Sequence, residues 1–139
     1  MNKFSGKAKE FLAVGSIALF LGGMIYWLYR PKSYVAMWIP GRSWFRSLRE
    51  FMGWGSVPFV KYYFSDYLWA VALSCGLHVI FQPEICVSAL CTVAVVIYGG
   101  VYELLQYLGV IGGTGDLWDV LMYILAGITV NILNSTYKE

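Results

Sequence analysis

The polarity of this chain alternates on the scale of whole segments. Long apolar runs are broken by short polar or glycine-containing stretches. The first run extends from about Phe11 to Tyr29, with Lys3, Lys7 and Lys9 before it and Arg30-Pro31-Lys32 after it. The others run from about Tyr67 to Phe81, Ile85 to Leu108 and Leu117 to Leu133. Helices of roughly 20 residues rise about 1.5 Å per residue and cross a hydrocarbon core of ~30 Å. The second run is short and needs extension toward Phe64 to cross fully. Pro83 makes a tight hairpin between the second and third runs. Gly109, Gly112, Gly113 and Gly115 supply a turn between the third and fourth, because glycine accepts backbone angles other residues avoid. The pattern predicts an all-α polytopic membrane protein, a single domain built as a bundle of four transmembrane helices.

Composition supports this class. The 139 residues are 59% hydrophobic and 13% charged, whereas soluble domains carry about 25% charged residues. A bilayer can cover apolar surface that so small a soluble fold could not. Aromatics make up 18%, as suits rings at lipid–water interfaces. A net charge of +2 without a basic run argues against nucleic acid as a partner. The basic start of the first run raises the question of a cleaved signal peptide, but its length and the lack of a small-x-small site before Arg30 favour a retained helix. Both termini then lie on one side.

Sidedness follows from local Lys and Arg bias. The connection between the first two runs carries Arg30, Lys32, Arg42, Arg46, Arg49 and Lys61. The opposite side offers Lys3, Lys7, Lys9 and Lys138. Three lysines ahead of the first helix favour a cytoplasmic N-terminus, and Arg30 and Lys32 oppose it, so charge alone leaves both orientations open. Within the same connection, residues 35–60 interleave aromatics with Arg42, Arg46 and Arg49, which share a helical face beside Phe45, Leu48 and Met52. This spacing predicts an amphipathic interfacial segment whose arginines contact lipid phosphates. Plain anchoring with snorkelling arginines is the alternative.

The third and fourth runs hold the candidate chemistry. Glu103 and Gln106 lie three apart and share a face with Tyr107. Asp116 and Asp119 are also three apart, and Tyr123 follows Asp119 by four. Glu103 is roughly 9 Å from the turn by helix rise, so the two faces converge near the membrane surface. A charge within hydrocarbon costs roughly 2.5–3.5 kcal/mol on insertion scales, so such residues usually face the bundle interior, a partner or water. Asp116 is placed to cap the fourth helix. Asp66, at the start of the second, either caps it or joins the cluster. His78 reads as a packed residue. Cys75, Cys86 and Cys91 lack metal-ligand spacing and read as apolar thiols. No motif calls for a cofactor.

Tyr102-Glu103-Leu104-Leu105-Gln106, Gly113-Thr114, Asp116-Leu117-Trp118-Asp119-Val120 and Gly127 together resemble the signature of the VanZ-like membrane proteins. The resemblance covers residues 98–127, about a fifth of the chain. Ser65-Asp66-Tyr67-Leu68-Trp69-Ala70 resembles the polar entry to a preceding helix in that family. Tyr123 stands where the family has asparagine, and Gly115 is an extra residue before Asp116. The resemblance implies a multi-pass protein of the bacterial plasma membrane, associated with glycopeptide (teicoplanin) resistance. Its acidic cluster would face the envelope, which favours the cytoplasmic N-terminus.

Three readings follow. In the first, Glu103, Gln106, Asp116, Asp119, Tyr123 and Asp66 bind a lipid-linked or glycopeptide-like ligand, with Arg42, Arg46 and Arg49 on lipid or phosphate. In the second, an intramembrane enzyme uses Glu103, Asp116 and Asp119 with a divalent cation or as an acid–base pair. In the third, the chain is an oligomeric structural or membrane-perturbing element, with Gly22-Gly23, Gly99-Gly100 and Gly127 giving close helix contact.

Overall fold

A computed structural model describes residues 6–29, 47, 59–81 and 85–136. Four helices account for nearly all of them: α1 (Gly6–Tyr29), α2 (Ser65–Phe81), α3 (Ile85–Tyr107) and α4 (Leu117–Thr136), with no strand among the described residues. A π-helical turn, Val60–Phe64, leads directly into α2. With that turn the second apolar helix gains the length its sequence lacked, and each of the four is long and apolar enough to cross a membrane. The expected interfacial segment, with Arg42, Arg46 and Arg49, lies outside the described residues apart from Ser47 and its last two positions. Pro83 also lies outside them; α2 ends at Phe81 and α3 begins at Ile85.

Two boundaries differ from expectation. The first helix begins at Gly6, a turn before Phe11, so Lys7 and Lys9 are helical. The fourth continues past Leu133 to Thr136. Asn134, expected in a polar tail, is instead buried, and its carbonyl accepts a hydrogen bond of 3.2 Å from Lys7 Nζ. This contact places the start of α1 beside the end of α4, so both lie at one end of the bundle.

Helix α1 packs mainly against α2. Its buried positions are Ala8, Phe11, Gly15, Ala18, Gly22, Ile25 and Tyr29. The steps between them alternate three and four, the spacing of a coiled-coil seam. Most are small, which lets backbones approach where lipid is as apolar as any side chain. A Cβ on Gly15 would sit 2.9 Å from Cys75 Cβ, and one on Gly22 would sit 3.3 Å from Leu68 Cβ. Rising numbers on α1 thus meet falling numbers on α2, and the pair is antiparallel.

Helices α3 and α4 form the second antiparallel pair, with Tyr123 seated on Gly99 and Thr92 on Gly127. Helix α2 packs on α4 and more lightly on α3, which puts it at the centre. Toward the end that holds the start of α1 and the end of α4, a polar chain joins these three helices. His78 Nδ1 lies 2.8 Å from the Ser74 carbonyl, and His78 Nε2 lies 2.7 Å from Ser88 Oγ. Ser88 also meets Asn131, whose amide reaches Thr92. Phe11 of α1 covers the imidazole, with ring centroids 4.9 Å apart. His78 is therefore a buried, hydrogen-bonded core residue, 1% exposed. Cys75 and Cys91 are buried free thiols.

The outward faces are largely hydrocarbon. Leu117, Tyr107 and Ile80 expose 86%, 78% and 72% of their surface, and many Leu, Ile and Val side chains accompany them. An apolar surface this extensive needs covering, and a bilayer would cover it.

Candidate functional site

The site is built where α3 turns into α4. Helix α3 ends in a Schellman motif: Val110 N–H donates to the Leu105 carbonyl and Gly109 N–H to the Gln106 carbonyl, both at 2.9 Å. Gly109 has a φ of 69°, which a side chain would resist. Gly113, at φ 141°, passes so close to the Gln106 carboxamide that a Cβ there would clash with it. Gly115 lies against the α3 backbone at the Glu103 carbonyl and Tyr107 nitrogen. Gly115 is thus the residue that lets the chain press onto α3.

This close approach brings Asp116 onto Glu103. The Asp116 N–H donates to Glu103 Oε2 at 3.1 Å, and the Tyr123 hydroxyl donates to Glu103 Oε1 at 3.1 Å. Glu103 is buried, 7% exposed, with both oxygens engaged by the first turns of α4. Asp116 in turn accepts the Trp118 N–H on Oδ1 at 3.0 Å, as an N-cap does, and the Tyr63 hydroxyl on Oδ2 at 3.1 Å. The capping expected of Asp116 is therefore present. Tyr63, contributed by the π-helical turn, also lays its ring near Trp118 at 6.3 Å.

Asp66 does not cap α2. The chain is already helical for several residues before it, so no free N-terminal amides remain there to cap. It instead lines a cavity of about 790 Å³ at this end of the bundle, opposite the Lys7–Asn134 contact. Glu103, Gln106, Asp119 and Tyr123 line the same cavity, together with Thr114 and the aromatic rings of Tyr26, Tyr62, Trp69, Tyr98 and Tyr102. Of the six ligand candidates in the sequence, five meet on this wall. Asp116 stands behind it and holds the wall in place. Tyr107, placed on the Glu103 face by its spacing, is strongly exposed and does not join. Arg42, Arg46 and Arg49 fall outside the described residues.

Tyr26, Tyr62, Tyr98 and Tyr102 are not among the residues that the carboxylate spacing points to. Their signal is nonetheless in the spacing: Tyr98, Tyr102 and Gln106 recur every four residues on α3, and Tyr62 of the π-helical turn is followed at helical spacing by Asp66, Trp69 and Leu73 of α2. Both sets form stripes into the cavity. The lining carries three carboxylates and no lysine, arginine or histidine among the described residues. Its volume lies in the range of sites that enclose small molecules. Carboxylates, an amide and phenols accept hydrogen bonds from hydroxyl and ammonium groups, and ring faces attract cations.

Among the described residues, no three His, Cys, Asp or Glu side chains converge to hold a metal ion. Asp116 spends both its oxygens on Tyr63 and the α4 amide. Comparison with family models, with curated proteins and with solved structures finds no match to this chain.

Proposed function

We propose that the chain is a multi-pass binding protein of the bacterial plasma membrane. In this reading its acidic, tyrosine-walled cavity takes an envelope ligand rich in amines or sugar hydroxyls, either lipid-linked or glycopeptide-like. The observation that carries the reading is the convergence of Asp66, Glu103, Asp119, Gln106 and Tyr123 on one cavity large enough for such a headgroup. Charged oxygen acceptors strengthen hydrogen bonds to ammonium and hydroxyl donors, and phenol rings add cation–π attraction. The resemblance of residues 98–127 to the VanZ-like signature supports the envelope setting. In this reading α1 starts on the cytoplasmic side; the Lys7–Asn134 contact keeps the end of α4 beside it, and the cavity at the other end of the bundle faces outward.

The test uses the amino sugar glucosamine as probe, with binding to the detergent-solubilised protein read from tryptophan fluorescence, since Trp69 forms part of the wall. Replacing one charged acceptor by its amide, in Glu103→Gln or Asp66→Asn, weakens affinity about tenfold, the size of one lost charge-assisted hydrogen bond. Unchanged affinity in both variants, with folding verified by thermal melting, overturns the binding site. The envelope setting has its own readout. Expression of the wild-type chain lowers susceptibility to teicoplanin and the Glu103→Gln chain does not; equal susceptibility removes the resistance role.

A further inference from the structure

The polar chain through His78 lies away from the cavity, and none of its members lines that wall. It begins at the Ser74 carbonyl on α2 and ends at the Gly127 carbonyl on α4, groups that can only accept. Between them stand the His78 ring, the Ser88 hydroxyl, the Asn131 carboxamide and the Thr92 hydroxyl. These six groups make five contacts in line, so five hydrogens are needed to fill them. A neutral imidazole brings one hydrogen and each hydroxyl one. The amide brings one at its nitrogen end, whichever way it is turned. The uncharged chain is one hydrogen short.

The Ser74 carbonyl, 2.8 Å away, fixes a ring hydrogen on Nδ1. With Nε2 bare, Ser88 must donate to the ring, Asn131 to Ser88 and Thr92 to Asn131, and nothing is left for Gly127. A hydrogen on Nε2 reverses each of these links. The ring then donates to Ser88 at 2.7 Å, Ser88 to the Asn131 carbonyl, the Asn131 amide to Thr92, and Thr92 to Gly127 at 3.4 Å. The last three directions are those the structure displays. We propose that His78 is a proton-binding site, and that the proton it takes from water onto Nε2 completes the hydrogen-bond chain from α2 through α3 to α4. The site is within reach of water: His78 stands three residues before the end of α2 and Ser88 three after the start of α3, about 4.5 Å of helix rise. Phe11 lies over the ring, and an aromatic face attracts a cation. Among the described residues, Lys7 of α1 is the charged group acting on the ring, and its ammonium is held by the Asn134 carbonyl. Lys9 and Glu10 of α1 are exposed. Helices α2 and α3 bring the buried thiols Cys75 and Cys91, and α4 the buried amide of Asn134. Lys7 repels a second cation here; the charge-assisted bond to Ser88 and the filled fifth contact oppose that repulsion.

His78 is the single histidine, so NMR of the histidine ring nitrogens in the full chain in detergent reads this site alone. On acidification to about pH 5 the wild-type ring carries hydrogen on both nitrogens. Thr92→Val acts three contacts from the ring and removes the shortage, since three hydrogens then serve three contacts. It lowers the ratio of doubly to singly protonated ring at that pH about tenfold, the effect of one hydrogen bond. Asn131→Leu, with two hydrogens for two contacts, does the same, and either variant decides if the other fails to melt cooperatively. Thr129→Val removes an α4 hydroxyl outside the chain and leaves the ratio unchanged. A bare ring nitrogen persisting in the wild type overturns the proton site. A wild-type ratio in Thr92→Val or Asn131→Leu, or an equal fall in Thr129→Val, overturns the chain as its cause.

Discussion

Glu103 shows how a carboxylate can be held within an apolar helix. An isolated charge there would be costly, and a lone buried acceptor would forfeit its hydrogen bonds. Here one oxygen receives a backbone amide at the start of α4 and the other a tyrosine hydroxyl from about two turns further along that helix. The same residue can therefore fasten two helices and still face the cavity. Tyr123 needs room for this bond, and Gly99 provides it: any Cβ on Gly99 would penetrate the Tyr123 ring, whereas one on the adjacent Gly100 would meet nothing within 4 Å. Gly99→Ala should lower stability by about 1–3 kcal/mol, the range of overpacked sites, and Gly100→Ala should be neutral or slightly stabilising through helix propensity. Thermal unfolding in detergent compares the two; equal melting temperatures would show that Tyr123 is not seated on Gly99.

At the scale of elements, the α1–α2 pair is specified by small residues on a heptad seam, and the α3–α4 pair by a turn and a few polar ties. The seam was legible in the spacing of Gly15, Ala18 and Gly22, but its partner was not, because glycines permit close contact without naming the helix that makes it. The structure assigns Cys75 and Leu68 to that role. Gly15→Val should therefore push α1 away from α2, while Gly23→Val, at a position open to 4 Å, should not. In a chain keeping Cys75 as its sole cysteine, maleimide labelling measures the difference: Cys75, 1% exposed, should react roughly tenfold faster or more in Gly15→Val, an opening equivalent to about 1.4 kcal/mol. Equal rates in the two variants would mean that Gly15 does not set this contact. The α3–α4 turn was visible as a glycine cluster, yet which glycine served which purpose was not. Gly109 ends a helix, Gly113 yields to Gln106, and Gly115 lets the backbones touch.

At the scale of the whole molecule, polar groups collect at the two ends of the bundle, with different partners. One end gathers Asp66, Glu103, Asp116 and Asp119 among tyrosines; the other ties His78, Ser88, Asn131 and Thr92 into a hydrogen-bonded chain near Lys7 and the end of α4. Four helices long and apolar enough to cross a membrane bring the end of α4 back beside the start of α1, so tags at the two termini should be accessible from the same face of a sealed vesicle. Protease protection of a doubly tagged chain checks this: both tags cleaved or both protected is expected, and protection of a single tag would contradict an even number of crossings. The Ser88–Asn131 contact also accounts for two polar residues whose place in apolar runs has no local explanation. An amide within an apolar helix signals a partner, and only the pairing of α3 with α4 supplies it.

What the sequence determined by itself was whatever depends on local order: four helices long and apolar enough to cross a membrane, turns at glycine clusters, the cap at Asp116, and carboxylates too costly to be lipid-facing. Hydrophobic run length and helical periodicity are properties of neighbours along the chain, so one dimension sufficed. The tertiary structure decided whatever depends on which helix lies beside which. It seated Tyr123 on Glu103 and took Asp116 out of the cavity wall. It brought Asp66 from 37 residues earlier in the chain to the same wall as Glu103. Cavities form between helices that pack imperfectly, and no periodicity within one helix records the gap left by its neighbours.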